Sequence, residues 1–257
     1  MTRVAALQME AAAGDLPANL AMLEDALAQA AAGGAALLVA PELATTGYGA
    51  GEAIRALAEP LDGPTANRLA AAVEATGAAL ATGFALRDEG GVRNAALLLR
   101  PGDGRTAYRK RQLYGDYERA LFAPGDADAP LVEIDGMRMG LLICFDAEFP
   151  EHVRALARKG AQAVLVPTAL PAGSGCDFVA TRVLPTRAFE NQIFVAYADH
   201  AGHDGRFAYA GLSCVCAPDG ADLARAGREA ALLFADLDDA AYAASREANP
   251  YLGELRP

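Results

Sequence analysis

Three residues of this chain combine a reactive side chain with the same local setting. Glu42, Lys110 and Cys144 each stand just beyond an apolar run that reads as a β-strand. A carboxylate, an ammonium and a thiol gathered at one sheet edge supply a base, a stabiliser of negative charge and a nucleophile. Covalent acyl transfer requires those three, and in open α/β sheets that edge is where ligands bind.

Cys144 lies in MGLLICFDAEFPE, where Phe145-Asp146-Ala147-Glu148 ends the strand at once and leads into a helix. The position reads as an elbow, and a helix N-terminus there would favour thiolate over thiol. The alternative is a small buried core cysteine. Lys110 and Lys159 are the only lysines among 22 basic residues. A chain so biased toward arginine leaves lysine where a compact, rotatable ammonium matters, with a solvated surface charge as the alternative for Lys110. Lys159 fits the last turn of a helix. Glu42 follows Pro41 in LLVAPELATTGY, after a strand that reads as buried on both faces. Partial desolvation there raises a carboxylate's proton affinity toward the range of a general base. Its alternative role is a loop cap through Thr45 or Thr46.

Competing motifs are weak. Ser174 and Ser213 lack the G-x-S-x-G frame of a nucleophile elbow. His152, His200 and His203 have no H-E-x-x-H spacing, and His200 with His203 reads as a solvated loop pair, so no metal site is expected. GYGAGE at Gly47 to Glu52 follows no phosphate-loop pattern.

The elements that must position these residues alternate along the chain. A helix is expected from Pro17 to Ala32, with Leu20, Leu23 and Leu27 on one face, Asp15 as cap and Gly33-Gly34 as stop. The strand Ala36 to Ala40 then delivers Glu42. A helix from Pro64 to Thr76 precedes a strand through Leu80 and Phe84, and a turn at Asp88 to Gly91 opens a hairpin with Ala95 to Leu99. Pro101 to Gly104 turns into Arg105 to Tyr108, which delivers Lys110. Asp135-Gly136 has the two-residue hairpin signature, and the strand Arg138 to Ile143 delivers Cys144. Pro150 opens the next helix and Gly160 closes it. Ala163 to Val166 is a strand, and a helix near Val179 to Asn191 is expected to break at Pro185. Strands follow at Ile193 to Ala198, Leu212 to Ala217 and Leu232 to Ala235, with a helix after Asp238. Helices alternating with both hairpins and crossovers imply an α/β fold of two mixed sheets packed face to face, helices outside, in one domain over residues 1–257.

Composition narrows the partners. A net charge of −11 disfavours nucleic acid. No apolar run approaches the length of a membrane span, and the N-terminus lacks a signal-peptide core, so the chain reads as cytoplasmic. The four cysteines contain no C-x-x-C pair and form no disulfide framework. Cys214 and Cys216 share one strand face and read as a buried, inert pair.

Taken together, GDLPANLAMLEDALAQAAAGGAALLVAPELATTGY, YRKRQLYGDYERALFAPGD, GLLICFDAEFPE and RAFENQIFVAYA resemble the nitrilase superfamily of carbon–nitrogen hydrolases over nearly the whole chain. The resemblance implies a four-layer αββα sandwich, at least a homodimer paired through its helices, and a catalytic triad of Glu42, Lys110 and Cys144. It implies that Glu118, placed before Phe122 and Gly125 as in the family, holds the lysine and helps align substrate. Within the family the chain looks most like the small-amide branch of aminopentanamidases and stereoselective bacterial amidases, through YRKRQLYG, ICFDAEFPE, LVPTA and NPYLGELR. It departs from that branch at ALPAGSGCDF, where the substrate loop would lie.

The expected activity is therefore hydrolysis of a small aliphatic or amino-substituted carboxamide through a thioester, without cofactor. The Phe145 N–H would join Lys110 at the oxyanion, and Tyr48, Glu148, Phe149, Thr168 and Ala169 are expected to contact substrate. Asp146 and Glu148 would favour an amine-bearing amide from the pocket mouth, unless Glu148 caps the helix at Pro150 or pairs with Arg154. Rival readings are a nitrilase or N-carbamoyl hydrolase with the same triad, and a silent nitrogen-metabolite binding protein. A thiol-redox protein ranks below these, since no resolving cysteine is near Cys144 in sequence.

Overall fold

A computed structural model describes residues 1–255, so Arg256, the end of the NPYLGELR segment, lies outside the described residues. The first half builds one sheet. Strand β1 (Thr2–Gln8) leads to helix α1 (Leu16–Ala32), whose first turn is capped by the Asp15 carboxylate accepting from Ala18 N at 3.1 Å. Short β2 (Leu37–Val39), α2 (Glu52–Leu57) and α3 (Pro64–Thr76) follow. Helix α3 has Pro64 at its start and stops at Gly77, which takes φ +73°. The long hairpin β3 (Ala79–Asp88) and β4 (Gly91–Arg100) then continues into β5 (Gly104–Arg109).

Helix α4 (Gly115–Leu121) bridges to the second half. There β6 (Leu131–Ile134) and β7 (Met137–Leu141) are joined by Asp135 and Gly136 at φ +50° and +76°, the two positive values a type I′ turn needs. Next come α5 (Pro150–Arg158), β8 (Ala163–Pro167), α6 (Cys176–Phe178), α7 (Leu184–Asn191), β9 (Phe194–Ala198), β10 (Cys214–Cys216) and β11 (Asp222–Arg225). Strand β12 (Ala231–Leu237) and helices α8 (Ala243–Ala248) and α9 (Tyr251–Glu254) complete the described residues.

Two six-stranded sheets result, ordered β12-β1-β2-β3-β4-β5 and β11-β10-β9-β8-β7-β6. Each has a parallel centre, β1-β2-β3 in one and β7-β8-β9 in the other, with antiparallel flanks. Side chains alternate between faces. In β1, Val4 and Ala6 enter the core between the sheets, whereas Ala5 and Leu7 pack beneath α1 and α3 with Leu23, Leu27 and Leu69. Helices α5 and α7 cover the other outer face through Val153, Leu156, Leu184 and Ala188. The architecture is the expected αββα sandwich. Burying a leucine such as Leu23 contributes about 2 kcal/mol, so these two outer seams anchor the helices.

Two expectations fail. Pro185 does not break its helix: α6 and α7 are joined by a π-helical turn, Val179–Val183, which loosens the ladder just where proline lacks an N–H. The strand before Cys144 ends at Leu141, not Ile143. Among the described residues no helix is long and apolar enough to cross a membrane.

Candidate active site

Glu42 is delivered by β2, which is paired on both sides. The chain then turns sharply, with Leu43 at φ +50°, and lies against β3 where Gly83 leaves no room for a side chain. Gly83 N donates to Pro41 O at 2.9 Å and Glu42 N donates to Thr168 O at 3.1 Å. His200 Nε2 donates to Glu42 O at 2.7 Å. The backbone of the carboxylate is thus held from three directions. Oε1 accepts Asn94 Nδ2 and Lys110 Nζ, both at 2.6 Å, while Oε2 is buried without a partner. Thr45 and Thr46 spend their hydroxyls on backbone carbonyls, so Glu42 is no loop cap.

Lys110 directly follows β5. Its N–H donates to Asn94 O and its carbonyl accepts Gly125 N, each at 2.8 Å. Gly125 is required there because a Cβ would run into the Arg109 carbonyl. The ammonium is no surface charge, being 1% exposed and bound to Glu42 at 2.6 Å and Glu118 at 2.7 Å. Glu118, on α4, also accepts Tyr48 Oη at 2.9 Å and Tyr114 N at 2.9 Å.

Cys144 stands at φ +44°, a conformation that side chains other than glycine adopt only under constraint. It opens a 3₁₀ turn, Cys144–Glu148. Asp146 holds the entry of that turn by accepting Ile143 N at 3.3 Å. Arg187 on α7 holds its exit, donating to Ala147 O at 3.0 Å and Glu148 O at 2.6 Å. The first N–H groups of such a turn, Phe145 among them, have no partner within it.

The electrostatics differ from the expectation at the thiol. Burial, then Glu42, pushes Cys144 well above an ordinary thiol, and Lys110 only partly opposes this. A short 3₁₀ turn cannot outweigh two neighbouring carboxylates. Burial also lifts Glu42 to about 7, with Lys110 pulling down and Glu118 pushing up. Burial disfavours the Lys110 charge, but Glu42 and Glu118 hold it well above the usual lysine value.

Cys144 lines a pocket of about 260 Å³ with Tyr114, Glu148, Leu170, Pro171 and Cys176. The larger clefts near α1 and the C-terminal helices contain none of these groups. Of the expected substrate contacts, Glu148 lines this pocket. Tyr48 does not: it is buried against Tyr117 and Phe207, with its hydroxyl on Glu118. Thr168 sits behind Glu42, and its hydroxyl donates to Val166 O at 3.0 Å. The Ala169 backbone favours the Cys144 thiolate, and Phe149 meets Phe145 edge to face. Asp146 is wholly buried instead of standing at the mouth.

Sequence reasoning missed Asn94, Arg187, His200 and Cys176. Asn94 interrupts an apolar strand, which was a usable signal. His200 and His203 are not the expected solvated pair: only His203 is exposed, and burial lowers the proton affinity of His200. Cys214 and Cys216 lie buried with sulfurs 3.6 Å apart and Asp222 nearby, the one metal-type cluster among the described residues. Both Asp222 oxygens are already paired with Arg225 at 2.6 Å.

The carbon–nitrogen hydrolase family model matches residues 3–247. A hydrolase of Pseudomonas protegens is 44% identical, covering 99% of this chain and 89% of its own length. An (R)-stereoselective amidase of a Pseudomonas species is 35% identical over 99% of this chain and 91% of its own. A solved amidase from Nesterenkonia, a double mutant in complex with acrylamide, superposes with a TM-score of 0.88 at 36% identity, over 99% of this chain and 94% of that one. With its sandwich, its buried carboxylate–ammonium–carboxylate cluster and a cysteine at the elbow, the chain belongs to the carbon–nitrogen hydrolases of the nitrilase superfamily.

Proposed function

We propose that this enzyme is a cysteine-dependent amidase that hydrolyses small primary carboxamides through a thioester on Cys144. The observation that carries this reading is the free, buried Oε2 of Glu42 in a cluster electrostatically coupled to the Cys144 thiol. As the sulfur attacks the amide carbon, Glu42 Oε2 takes the thiol proton and the S–C bond forms. Lys110 Nζ and the Phe145 N–H receive the developing oxyanion. Glu42 then passes its proton to the leaving nitrogen, the C–N bond breaks and ammonia departs. Water attacks the thioester as Glu42 takes its proton, and the carboxylic acid leaves as the sulfur recovers that proton. Solved structures of mutants of the Nesterenkonia amidase, one in complex with acrylamide and one with the acetamide moiety of fluoroacetamide added covalently at its active-site cysteine, support small amides as the substrate class.

The amide preferred is one bearing an amine. Glu148 lines the pocket and its carboxylate has no hydrogen-bond or ion-pair partner among the described residues. It does not cap α5, and Arg154 Nη1 is left without a partner. Burial raises Glu148 above the usual glutamate value, opposed by Lys110 and Arg187. An ammonium beside it restores what burial costs. The test measures ammonia release from an amino-amide, its uncharged isostere, a nitrile and an N-carbamoyl amino acid. Wild type should favour the amino-amide, and Glu148→Gln should lose about tenfold in kcat/KM for it alone, a loss near 1.4 kcal/mol. Cys144→Ala should release none. Equal efficiency on amino-amide and isostere removes Glu148 as the reader. Turnover of the nitrile or carbamoyl compound in place of amides removes the amidase reading.

A further inference from the structure

The Cys144 and Lys110 segments come from different sheets, β7 and β5, and nothing in their own strands fixes the distance between them. One side chain joins the two. Asp146, two residues past the nucleophile, is 0% exposed. Its Oδ2 accepts Tyr108 Oη at 3.0 Å and Ile143 N at 3.3 Å, and its Oδ1 accepts Gln112 N at 2.8 Å. Tyr108 and Gln112 lie two residues before and two residues after Lys110. Asp146 therefore grips the lysine segment on both sides while its third bond closes the turn that carries Cys144.

We infer that Asp146 is a positioning residue that sets the separation of Lys110 and Cys144 by clamping Tyr108 and Gln112 to the nucleophile turn. The role rests on the amidase reading above for its activity readout, but not for its geometry. A carboxylate suits the task because it has two oxygens that only accept, and the clamp consists of three donors converging on them. Asparagine at this position keeps the shape and loses half of the accepting capacity, leaving a buried donor facing donors. An error of about 1 Å in a reacting pair costs about 100-fold in rate. The clamp holds the Cys144 end of the turn, whereas Arg187 holds Ala147 O and Glu148 O at its other end, so capture of substrate at Glu148 depends less on the clamp than attack by Cys144 does.

The test compares Asp146→Asn, Tyr108→Phe and the double variant for kcat, KM, melting temperature and alkylation of Cys144 by iodoacetamide. Asp146→Asn should lower kcat about 100-fold with KM within about threefold. Tyr108→Phe should lower kcat about fivefold alone and not further in the Asp146→Asn background, because both act through one clamp. Alkylation should slow in step with kcat. Melting loss with kcat unchanged would make Asp146 structural and overturn the inference, as would effects that multiply in the double variant. If Asp146→Asn does not fold, Tyr108→Phe decides alone: an unchanged kcat at unchanged melting temperature overturns the clamp. If wild type hydrolyses no amide, the amidase reading falls, and the alkylation rates still test Asp146.

Discussion

On the amidase reading, Gly83→Ala is the most direct perturbation of the proposed base that leaves every side chain of the cluster unsubstituted. Gly83 is in β3 opposite Ala96 and faces the turn that carries Glu42. An added Cβ would overlap Leu43 N and the Glu42 carbonyl carbon and would lie 2.5 Å from Glu42 Cα, where real contacts stay beyond 3.0 Å. These are backbone atoms and cannot swing aside. Gly83 does not have a positive φ, so alanine adds no backbone strain and the whole effect is the contact. The Glu42 turn must retreat by about 1 Å, and an error of that size costs about 100-fold in kcat. Overpacking should lower stability by about 1–3 kcal/mol, or about 3–10 °C in a chain of this size. Gly227→Ala, with open space around its Cβ position, is the matched control and should change neither. Steady-state ammonia release and thermal melts measure both effects. Gly83→Ala with kcat within threefold of wild type would refute the claim that β3 sets the position of Glu42.

The remaining expectations follow from the buried cluster. The acid limb of kcat/KM should have an apparent pKa near 7, because Glu42 must be unprotonated to take the thiol proton and burial raises it to about 7. Activity then falls about tenfold per pH unit below that point; a limb near 4.5, the ordinary value, would mean another base. Lys110→Arg should lose at least about 100-fold in kcat although charge is kept, since a planar guanidinium cannot sit between two carboxylates where the compact ammonium did. Near wild-type turnover would place the oxyanion elsewhere.

Elements with a strong apolar period or a turn signature were legible. Helix α3 begins at Pro64 and ends at Thr76 as read, because proline and Gly77 punctuate it. The hairpin at Asp135-Gly136 was legible for the same reason. Strand β1 went unread, and so did the short α2 and α4, whose mixed sequences carry little period and take shape against neighbours. The reactive trio was legible because strand ends expose polar residues abruptly after apolar runs. Its supports were not. His200 touches Glu42 across 158 positions and Arg187 reaches Glu148 across 39, and no local pattern encodes such pairings. The state of the thiol was misread because its neighbours in space, not its place in the turn, decide it.

That state has a consequence for how charge moves. Glu42, Lys110 and Glu118 are wholly buried and Cys144 nearly so, so any net charge created there would go unsolvated. With the thiol pushed up and Glu42 raised to about 7, a resting thiolate beside two carboxylates is the costly arrangement, and a neutral thiol beside them is the cheap one. On the amidase reading, attack transfers the proton to Glu42 as negative charge passes to the substrate oxygen. The cluster loses one carboxylate charge and gains one oxyanion, so its net charge is unchanged and Lys110 needs only to shift its hydrogen bonding. Stabilisation of this kind is already built before the reaction starts. A neutral amide group enters without disturbing the balance, whereas a charged group beside the sulfur would upset it. An amine on the substrate therefore has to be met away from the cluster, and Glu148 is the carboxylate on the pocket wall that remains free to meet it.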